Sequence, residues 1–107
     1  MRIFIDECVP RRFARELSEY DVSTPQQLGW LGKKNGELLK LLVEQRFDVF
    51  ITIDQNLQYQ QNLKETSVAV LVLSSRSNRY DDLKLLASSV HARLRSFVAG
   101  EIYIISE

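Results

Sequence analysis

Two apolar segments constrain the fold of this 107-residue chain more than any other feature of its sequence. The segments DVFITI, residues 48–53, and VAVLVL, residues 68–73, consist mostly of β-branched and other large apolar residues. A strand that is apolar on both faces has to be covered on both faces, which is typical of parallel sheets flanked by helices. The two segments therefore predict the buried central strands of a mainly parallel sheet.

Shorter segments predict further strands and helices that alternate along the chain. The predicted strands are RIFI (2–5), the short DVST (21–24), the two central segments and EIYIIS (101–106). The predicted helices are VPRRFARELSEY (9–20), ELLKLLVEQ (37–45), a short helix within 56–64 and a long helix that opens in the polar loop 74–83. The glycine-punctuated segment 25–36 is predicted to be a loop. This alternation predicts an α/β fold, and we expect a three-layer α/β/α sandwich with a mainly parallel central sheet, in a single domain over residues 1–107.

Apolar residues at helical spacing predict the buried face of each of the three longer helices. The first helix would bury Val9, Phe13, Leu17 and Tyr20. The second would bury Leu38, Leu41, Leu42 and Gln45. The third would bury Leu83, Leu86, Val90, Leu94 and Phe97.

The composition excludes several classes of protein. Fourteen basic and fourteen acidic residues cancel, so binding to nucleic acid or membrane would have to depend on a local patch rather than on net charge. The one cysteine, Cys8, excludes an internal disulfide and a multi-cysteine zinc site, and we expect it to be a buried, inert thiol. No apolar run approaches the length of a membrane span, and we expect a cytoplasmic protein without membrane contact.

Two aspartates follow two of the predicted strands directly. Asp6 comes after RIFI and Asp54 after DVFITI, and the carboxyl ends of parallel strands meet at one edge of the sheet. Two carboxylates close together repel, and a divalent cation such as Mg²⁺ or Mn²⁺, which prefers oxygen ligands, removes that cost. For a single aspartate after a strand, a turn or helix cap is the better interpretation, whereas the pair favours a site.

Glu37 and Glu7 are further acidic candidates. Glu37 lies in the first turn of the second predicted helix, where it either completes the acidic group or only stabilises the helix dipole behind an Asn35 cap. Glu7 follows Asp6 and points the opposite way in an extended chain. It would support the site, pair with Arg11 or face solvent.

Amides and basic residues surround the predicted acidic edge. The amides are Asn56, Gln60, Gln61 and Asn62, and they would orient a metal-bound water or phosphate, or form an ordinary solvated loop. The basic residues near the strand ends are Arg11, Arg12, Lys33, Lys34, Arg76 and Arg79. They would hold phosphates, although each one alone is more often a solvated surface charge.

Four segments together resemble the PIN-like nuclease superfamily, and more closely its small, single-domain bacterial branch. They are IFIDECVPRR (3–12), GWLGKKNGELL (29–39), FDVFITIDQNLQYQQN (47–62) and SSRSNR (74–79), in the same order as in the family. The resemblance covers nearly the whole chain. It implies the three-layer PIN fold, an acidic pocket for Mg²⁺ or Mn²⁺, and cleavage of RNA.

The resemblance also implies roles for individual residues. Asp6, Glu37 and Asp54 would be the metal ligands and catalytic acids, and Asn56 would position a metal-bound water or the scissile phosphate. Thr52 stands in the threonine position of the strand–Thr–x–Asp motif. The residues expected to contact substrate are Glu7, Arg11, Lys34, Asn35, Thr52, Gln61, Asn78 and Arg79.

The expected partners follow from the same resemblance. RNA would be the substrate, and many PIN proteins are toxins that pair with an antitoxin protein; a homodimer is a further expectation. Two departures from the family favour an alternative. Relatives often carry aspartate where this chain has Asn35 and Asn56, and the further acid that PIN nucleases commonly have in a helix between the middle acid, here Glu37, and the strand–Thr–x–Asp motif is not identified. The alternatives are a non-catalytic module that binds RNA or protein, and phosphoryl transfer or hydrolysis on a small molecule.

Overall fold

The computed structural model describes residues 1–56 and 66–107, which form an α/β domain around one parallel sheet. The strands are β1 (Arg2–Ile5), β2 (Asp21–Ser23), β3 (Val49–Thr52), β4 (Ala69–Leu73) and β5 (Ile102–Ile105). They lie in the order β2-β1-β3-β4-β5, and every pairing between neighbours is parallel. The predicted α/β fold and parallel sheet are confirmed, and each strand begins and ends within one residue of its predicted bounds.

The helices differ more from the prediction than the strands do. The α-helices are α1 (Pro25–Leu28), α2 (Asn35–Glu44), α3 (Tyr80–Leu83) and α4 (Ala87–Leu94), and 3-10 helices span Arg11–Leu17 and Lys84–Leu86. The first predicted helix is thus a 3-10 helix, and the long C-terminal helix is divided by a 3-10 turn. Apart from Asn56, the predicted short helix within 56–64 lies outside the described residues.

The helix α1 lies in the segment that was predicted to be a loop. Pro25 occupies its first position, where a missing N–H costs nothing. The backbone N–H of Thr24 donates to Oε1 of Gln27 at 3.0 Å, which is half of a capping box. Gly29 ends the helix in the left-handed conformation, with φ of 72°. The sequence Thr-Pro-Gln-Gln therefore carried a helix-start signal that the prediction of a loop overlooked.

The sheet separates two apolar cores. Ile3, Ile5, Val49 and Ile51 pack on one face with apolar residues of the two 3-10 helices, α3 and α4. Phe4, Phe50, Val70 and Val72 pack on the other face with α2. Because alternate residues of a strand point to opposite faces, the fully apolar central strands supply both cores at once.

The buried face of α2 is rotated slightly from the predicted one. Leu38 and Leu42 are buried as expected, but Leu39 is buried where the prediction named Leu41 and Gln45. Gln45 is exposed because the helix ends at Glu44, and the chain turns there through Arg46, which has a positive φ of 60°. The other two predicted faces are confirmed, with Phe97 and Tyr20 only partly buried.

The described helices are short relative to a lipid bilayer. In residues 1–56 and 66–107, no helix combines the length and the apolar character that crossing a membrane requires. This agrees with the absence of a long apolar run in the sequence.

Candidate functional site

The order of the strands creates one topological switch point. From β1 the chain passes to β2 on one side, and it then returns to place β3 on the other side of β1. In open parallel sheets, the crevice at the carboxyl ends of the two strands at such a point is where ligands bind. Asp6 directly follows β1, and Asp54 lies two residues beyond β3, so both predicted aspartates lie at this edge.

The carboxylate of Asp6 is held by neutral donors. Its Oδ1 accepts a hydrogen bond from the backbone N–H of Glu7 at 2.9 Å. Its Oδ2 accepts from the hydroxyl of Thr52 at 2.8 Å and from the thiol of Cys8 at 3.3 Å. The backbone N–H of Asp6 donates to Ile51 at 2.9 Å, which extends the pairing of β1 with β3 by one residue. Asp6 is only 9% exposed, and its side chain is therefore fixed at the strand end.

Thr52 connects the two strand ends. Its side chain is fully buried, and its Oγ1 donates to Asp6 while accepting the backbone N–H of Asp54 at 3.1 Å. A buried hydroxyl needs such partners, since leaving it unpaired costs about 1–3 kcal/mol. The hydroxyl thus orients one aspartate and holds the backbone of the other.

The carboxylate of Asp54 is held from two directions. Its Oδ1 accepts the backbone N–H of Asn56 at 2.9 Å. Its Oδ2 accepts from Nδ2 of Asn35 at 2.8 Å, across 19 residues of sequence. Asn35 is the first residue of α2, whose cap position is taken by Lys34, so the predicted cap is wrong and the Asn35 amide serves the site. The contact places the N-terminus of α2 against the carboxyl end of β3.

Glu37 does not join the two aspartates. Its Oε1 accepts from Nζ of Lys33 at 2.9 Å, and its side chain is 58% exposed. Residues two apart on a helix point in different directions, so Glu37 cannot share the direction of Asn35. Among the residues that the structure describes, no three acidic, histidine or cysteine side chains come together as a metal-binding group. The expected three-acid group is therefore not formed in this part of the chain.

Cys8 was predicted to be a buried thiol, and this prediction is wrong. The residue is exposed because it lies in the turn after β1, where the N–H of Val9 donates to the carbonyl of Asp6 at 3.0 Å. Its Sγ contacts Asp6 and lies 3.8 Å from Oγ1 of Thr52. Although the residue as a whole is exposed, its Sγ atom is partly buried against Asp6 and Thr52. This desolvation, followed by the negative charge of Asp6, raises the pKa of the Cys8 thiol above its ordinary value.

The remaining predicted residues that the structure describes are exposed. Glu7 is exposed and accepts the backbone N–H of Gly32 at 3.3 Å, rather than an Arg11 guanidinium. The exposed basic and amide residues are Arg11, Lys34, Asn56, Asn78 and Arg79. Gln61 lies outside the described residues, as do Gln60 and Asn62. The substrate roles of all these residues stay predictions.

The two aspartates offer a suitable donor set for Mg²⁺ or Mn²⁺. These ions take oxygen ligands, and Mg²⁺ usually binds one or two carboxylates while it keeps several waters. Both carboxylates are surrounded by hydroxyl, thiol, amide and backbone N–H groups. Within residues 1–56 and 66–107, neither receives a lysine, arginine or histidine side chain. Their negative charge is therefore not balanced by a cation from the described chain.

The contact between Asn35 and Asp54 was the main feature that sequence reasoning missed. An amide at the start of a helix has the sequence signature of a cap, and nothing local distinguishes it from a residue that reaches a distant strand. Cys8 was predicted to be buried because free cysteine is usually a buried residue, and this general preference does not take account of the turn that Cys8 occupies.

Comparisons with known proteins leave the family of this chain open. No family model, no curated protein and no solved structure matches it. The resemblance to the PIN-like nucleases remains a hypothesis that is based on the four quoted motifs.

Proposed function

We propose that this chain is a Mg²⁺- or Mn²⁺-dependent endoribonuclease with the three-layer arrangement of the PIN-like nucleases. One observation carries the proposal: Asp6 and Asp54 lie at the switch point of a parallel sheet, are joined through Thr52, and lack a cationic partner among the described residues. A divalent cation and a phosphodiester are the ligands whose charges such an edge would accept together.

The residues at the acidic edge would have different roles in cleavage. When bound, the metal supplies an activated water and stabilises the charge on the leaving oxygen. Asp6 and Asp54 would hold it, with Thr52 orienting the first carboxylate and Asn35 the second. Asn56, exposed beside Asp54, would position the scissile phosphate.

Three further residues would serve the RNA backbone. Arg11, Lys34 and Arg79 are exposed. Arg11 and Arg79 follow β1 and β4, which end at this edge, and Lys34 directly precedes Asn35, which contacts Asp54. Their charges would contact backbone phosphates, which fixes the position of RNA without selecting its sequence. Glu37 is omitted from the ligand set, because its carboxylate is paired with Lys33.

Calorimetric titration with Mn²⁺ and Mg²⁺ tests the metal site directly. We expect the wild type to bind, and Asp6→Asn and Asp54→Asn to lose at least about tenfold in affinity, since even residues behind the ligands commonly contribute that much. Glu37→Gln is the matched control, and we expect it to keep wild-type affinity. Loss of binding in Glu37→Gln alone would contradict the two-aspartate site.

RNA cleavage tests the activity. Purified wild type should cleave single-stranded RNA with Mn²⁺ or Mg²⁺ and should be inactive in EDTA. Asp54→Asn, a nearly isosteric change, should be inactive while its circular dichroism spectrum stays that of the wild type. Equal cleavage by the wild type and both aspartate variants would show that the nuclease activity lies elsewhere or in a contaminant.

A second candidate function is a binding module without catalysis. The specific observation in its favour is the Asn35 amide, which already occupies Oδ2 of Asp54 at 2.8 Å. A basic side chain of a protein partner, such as an antitoxin, would then neutralise the edge in place of a metal. Wild-type protein whose thermal midpoint is unchanged by Mn²⁺, and which cleaves no RNA, would favour this function.

A further inference from the structure

Three arginines border an open depression on the 3-10 helix that follows Asp6 in the sequence. Arg11, Arg12 and Arg15 lie on the 3-10 helix Arg11–Leu17 and border a space of about 260 Å³. All three are exposed, while Phe13 and Leu17 of the same helix are buried in the core. Because Phe13 and Leu17 are packed in the core, the backbone that carries the three arginines is held in place.

The three guanidinium groups of this arginine triad have no ion-paired acid in the described part of the chain. The acid on the same helix, Glu16, instead accepts a hydrogen bond from the hydroxyl of Tyr80 at 2.5 Å. Arg12 and Arg15 are three residues apart, the spacing at which side chains of a 3-10 helix lie one above the other, so their like charges repel.

One member of the triad is oriented by an aromatic ring. The guanidinium carbon of Arg12 lies 4.3 Å from the centre of the Tyr80 ring, and Tyr80 is the first residue of α3. A guanidinium stacked in this way keeps its N–H groups directed outward in its plane, ready for an oxygen acceptor. Tyr80 is in turn held by Glu16, which limits the freedom of Arg12.

The arginine triad is close to Asp6 in the sequence, which limits the distance between them. Arg11 is five positions after Asp6, a span of at most about 18 Å in a fully extended chain. The distance between Asp6 and Arg11 is shorter than this limit, because a backbone hydrogen bond of 3.0 Å closes the turn between Asp6 and Val9. A strand of nucleic acid at Asp6 would therefore pass within reach of the triad.

We propose that the arginine triad is a phosphate subsite that holds the backbone of single-stranded RNA beside Asp6 and Asp54. The proposal rests on the proposed function for the identity of the polymer. Guanidinium groups bind phosphate oxygens through paired N–H donors, and three of them around one space would bind phosphates of one strand. Because the chain has no net charge, RNA affinity depends on this local patch.

The salt dependence of RNA binding tests the subsite. A fluorescent oligouridine is titrated by anisotropy in EDTA, with wild type and with the triple variant Arg11→Gln, Arg12→Gln, Arg15→Gln. Each neutralised phosphate of a single strand adds about −0.7 to the slope of log affinity against log salt. We therefore expect the slope to flatten by about 2 in the triple variant, with at least a tenfold loss of affinity at low salt.

A triple variant of equal charge change is the matched control. It removes three exposed positive charges through Lys40→Gln, Arg46→Gln and Arg95→Gln. Arg46 and Arg95 follow α2 and α4, the helices that lead to the opposite edge of the sheet. The control should keep the wild-type slope. If the arginine variant fails to show the native spectrum of Trp30, Arg11→Gln alone replaces it, with an expected slope change of about 0.7.

Three outcomes would overturn the inference. The first is that the wild type does not bind the RNA, and the second is that the two triple variants show equal slopes of log affinity against log salt. The third is that oligoglutamate displaces the labelled RNA more strongly than unlabelled RNA does, which would indicate an acidic protein partner. The test is separate from that of the proposed function, because it needs no metal. If the protein cleaves no RNA but the salt slopes change as expected, the subsite is supported and the nuclease proposal is not. If the protein cleaves RNA but the arginine variant keeps the wild-type slope, only the subsite is excluded.

Discussion

At the scale of single residues, the candidate site depends on short polar side chains that meet at the strand ends. The hydroxyl of Thr52 serves Asp6 and Asp54 together, and Cys8 shares the same Asp6 oxygen. None of these contacts requires a long, flexible side chain, so each costs little conformational entropy. The edge is consequently ordered before any ligand arrives.

The reactivity of Cys8 reports on the charge of Asp6. Since desolvation and the Asp6 carboxylate raise the thiol pKa, we expect alkylation by iodoacetamide to require a higher pH than for an ordinary exposed cysteine. Asp6→Asn removes the negative charge and should lower the thiol pKa, which increases the alkylation rate at pH 8. The pH dependence of the rate, followed by mass spectrometry, measures this shift.

Glu7→Gln is the control for this experiment. Glu7 is the neighbour of Asp6 but bonds to Gly32 instead of Cys8, so its replacement should leave the alkylation profile unchanged. Identical profiles for wild type and Asp6→Asn would mean that the carboxylate does not influence the thiol.

At the scale of elements, α2 links the core to the site. Leu38, Leu39 and Leu42 pack against the sheet, and this packing brings Asn35 at the start of the helix to Asp54. Helices of this length are held mainly by such tertiary contacts. The position of the Asn35 amide is therefore a consequence of the apolar face of α2.

A truncation in α2 tests how much this packing contributes. Leu42 is fully buried, and Leu42→Ala should lower the free energy of unfolding by about 2–5 kcal/mol through lost burial and the remaining cavity. Val43→Ala, at the next position with 37% exposure, should cost about 0.5 kcal/mol or less. Urea denaturation of the two variants measures both values, and equal losses would contradict the assigned face of α2.

At the scale of the whole molecule, the sheet couples the two cores. Residues of β1, β3 and β4 alternate between them, so neither core can be lost without exposing strands of the other. The Cα radius of gyration, 12.5 Å, is close to the value of about 13 Å for a folded domain of this length. We expect the chain to unfold as one cooperative unit.

Trp30 provides a test of this cooperativity. Its ring lies 5.6 Å from Phe4 and 6.1 Å from Phe47, in the core that contains α2, whereas Leu86 belongs to the opposite core. We expect Trp30 fluorescence and far-ultraviolet circular dichroism to give the same urea midpoint. Leu86→Ala should lower the fluorescence midpoint too, although it lies across the sheet; a midpoint that stays unchanged would show that the two faces unfold separately.

The sequence by itself determined the strands and the two aspartates that follow two of them, whereas the order of the strands in the sheet came from the structure. Strands that are apolar on both faces, such as Ala69–Leu73, are stable only when both faces of the sheet are covered. The short apolar segments of the sequence predicted the bounds of every strand to within one residue. Asp6 and Asp54 followed from the same pattern, because the carboxyl ends of parallel strands share one edge. These features depend on neighbours in sequence, which a single sequence displays.

The tertiary structure alone decided which side chains meet at that edge. Asn35 reaches Asp54 across 19 residues, and Glu37, two positions later on the same helix, turns instead to Lys33. Both outcomes depend on the rotation of α2 about its axis, which is set by the packing of Leu39 in place of Leu41. The helical spacing of apolar residues in the sequence does not determine this rotation. A helix whose buried face is shifted by one residue keeps the same apolar spacing, but its polar side chains then meet different partners.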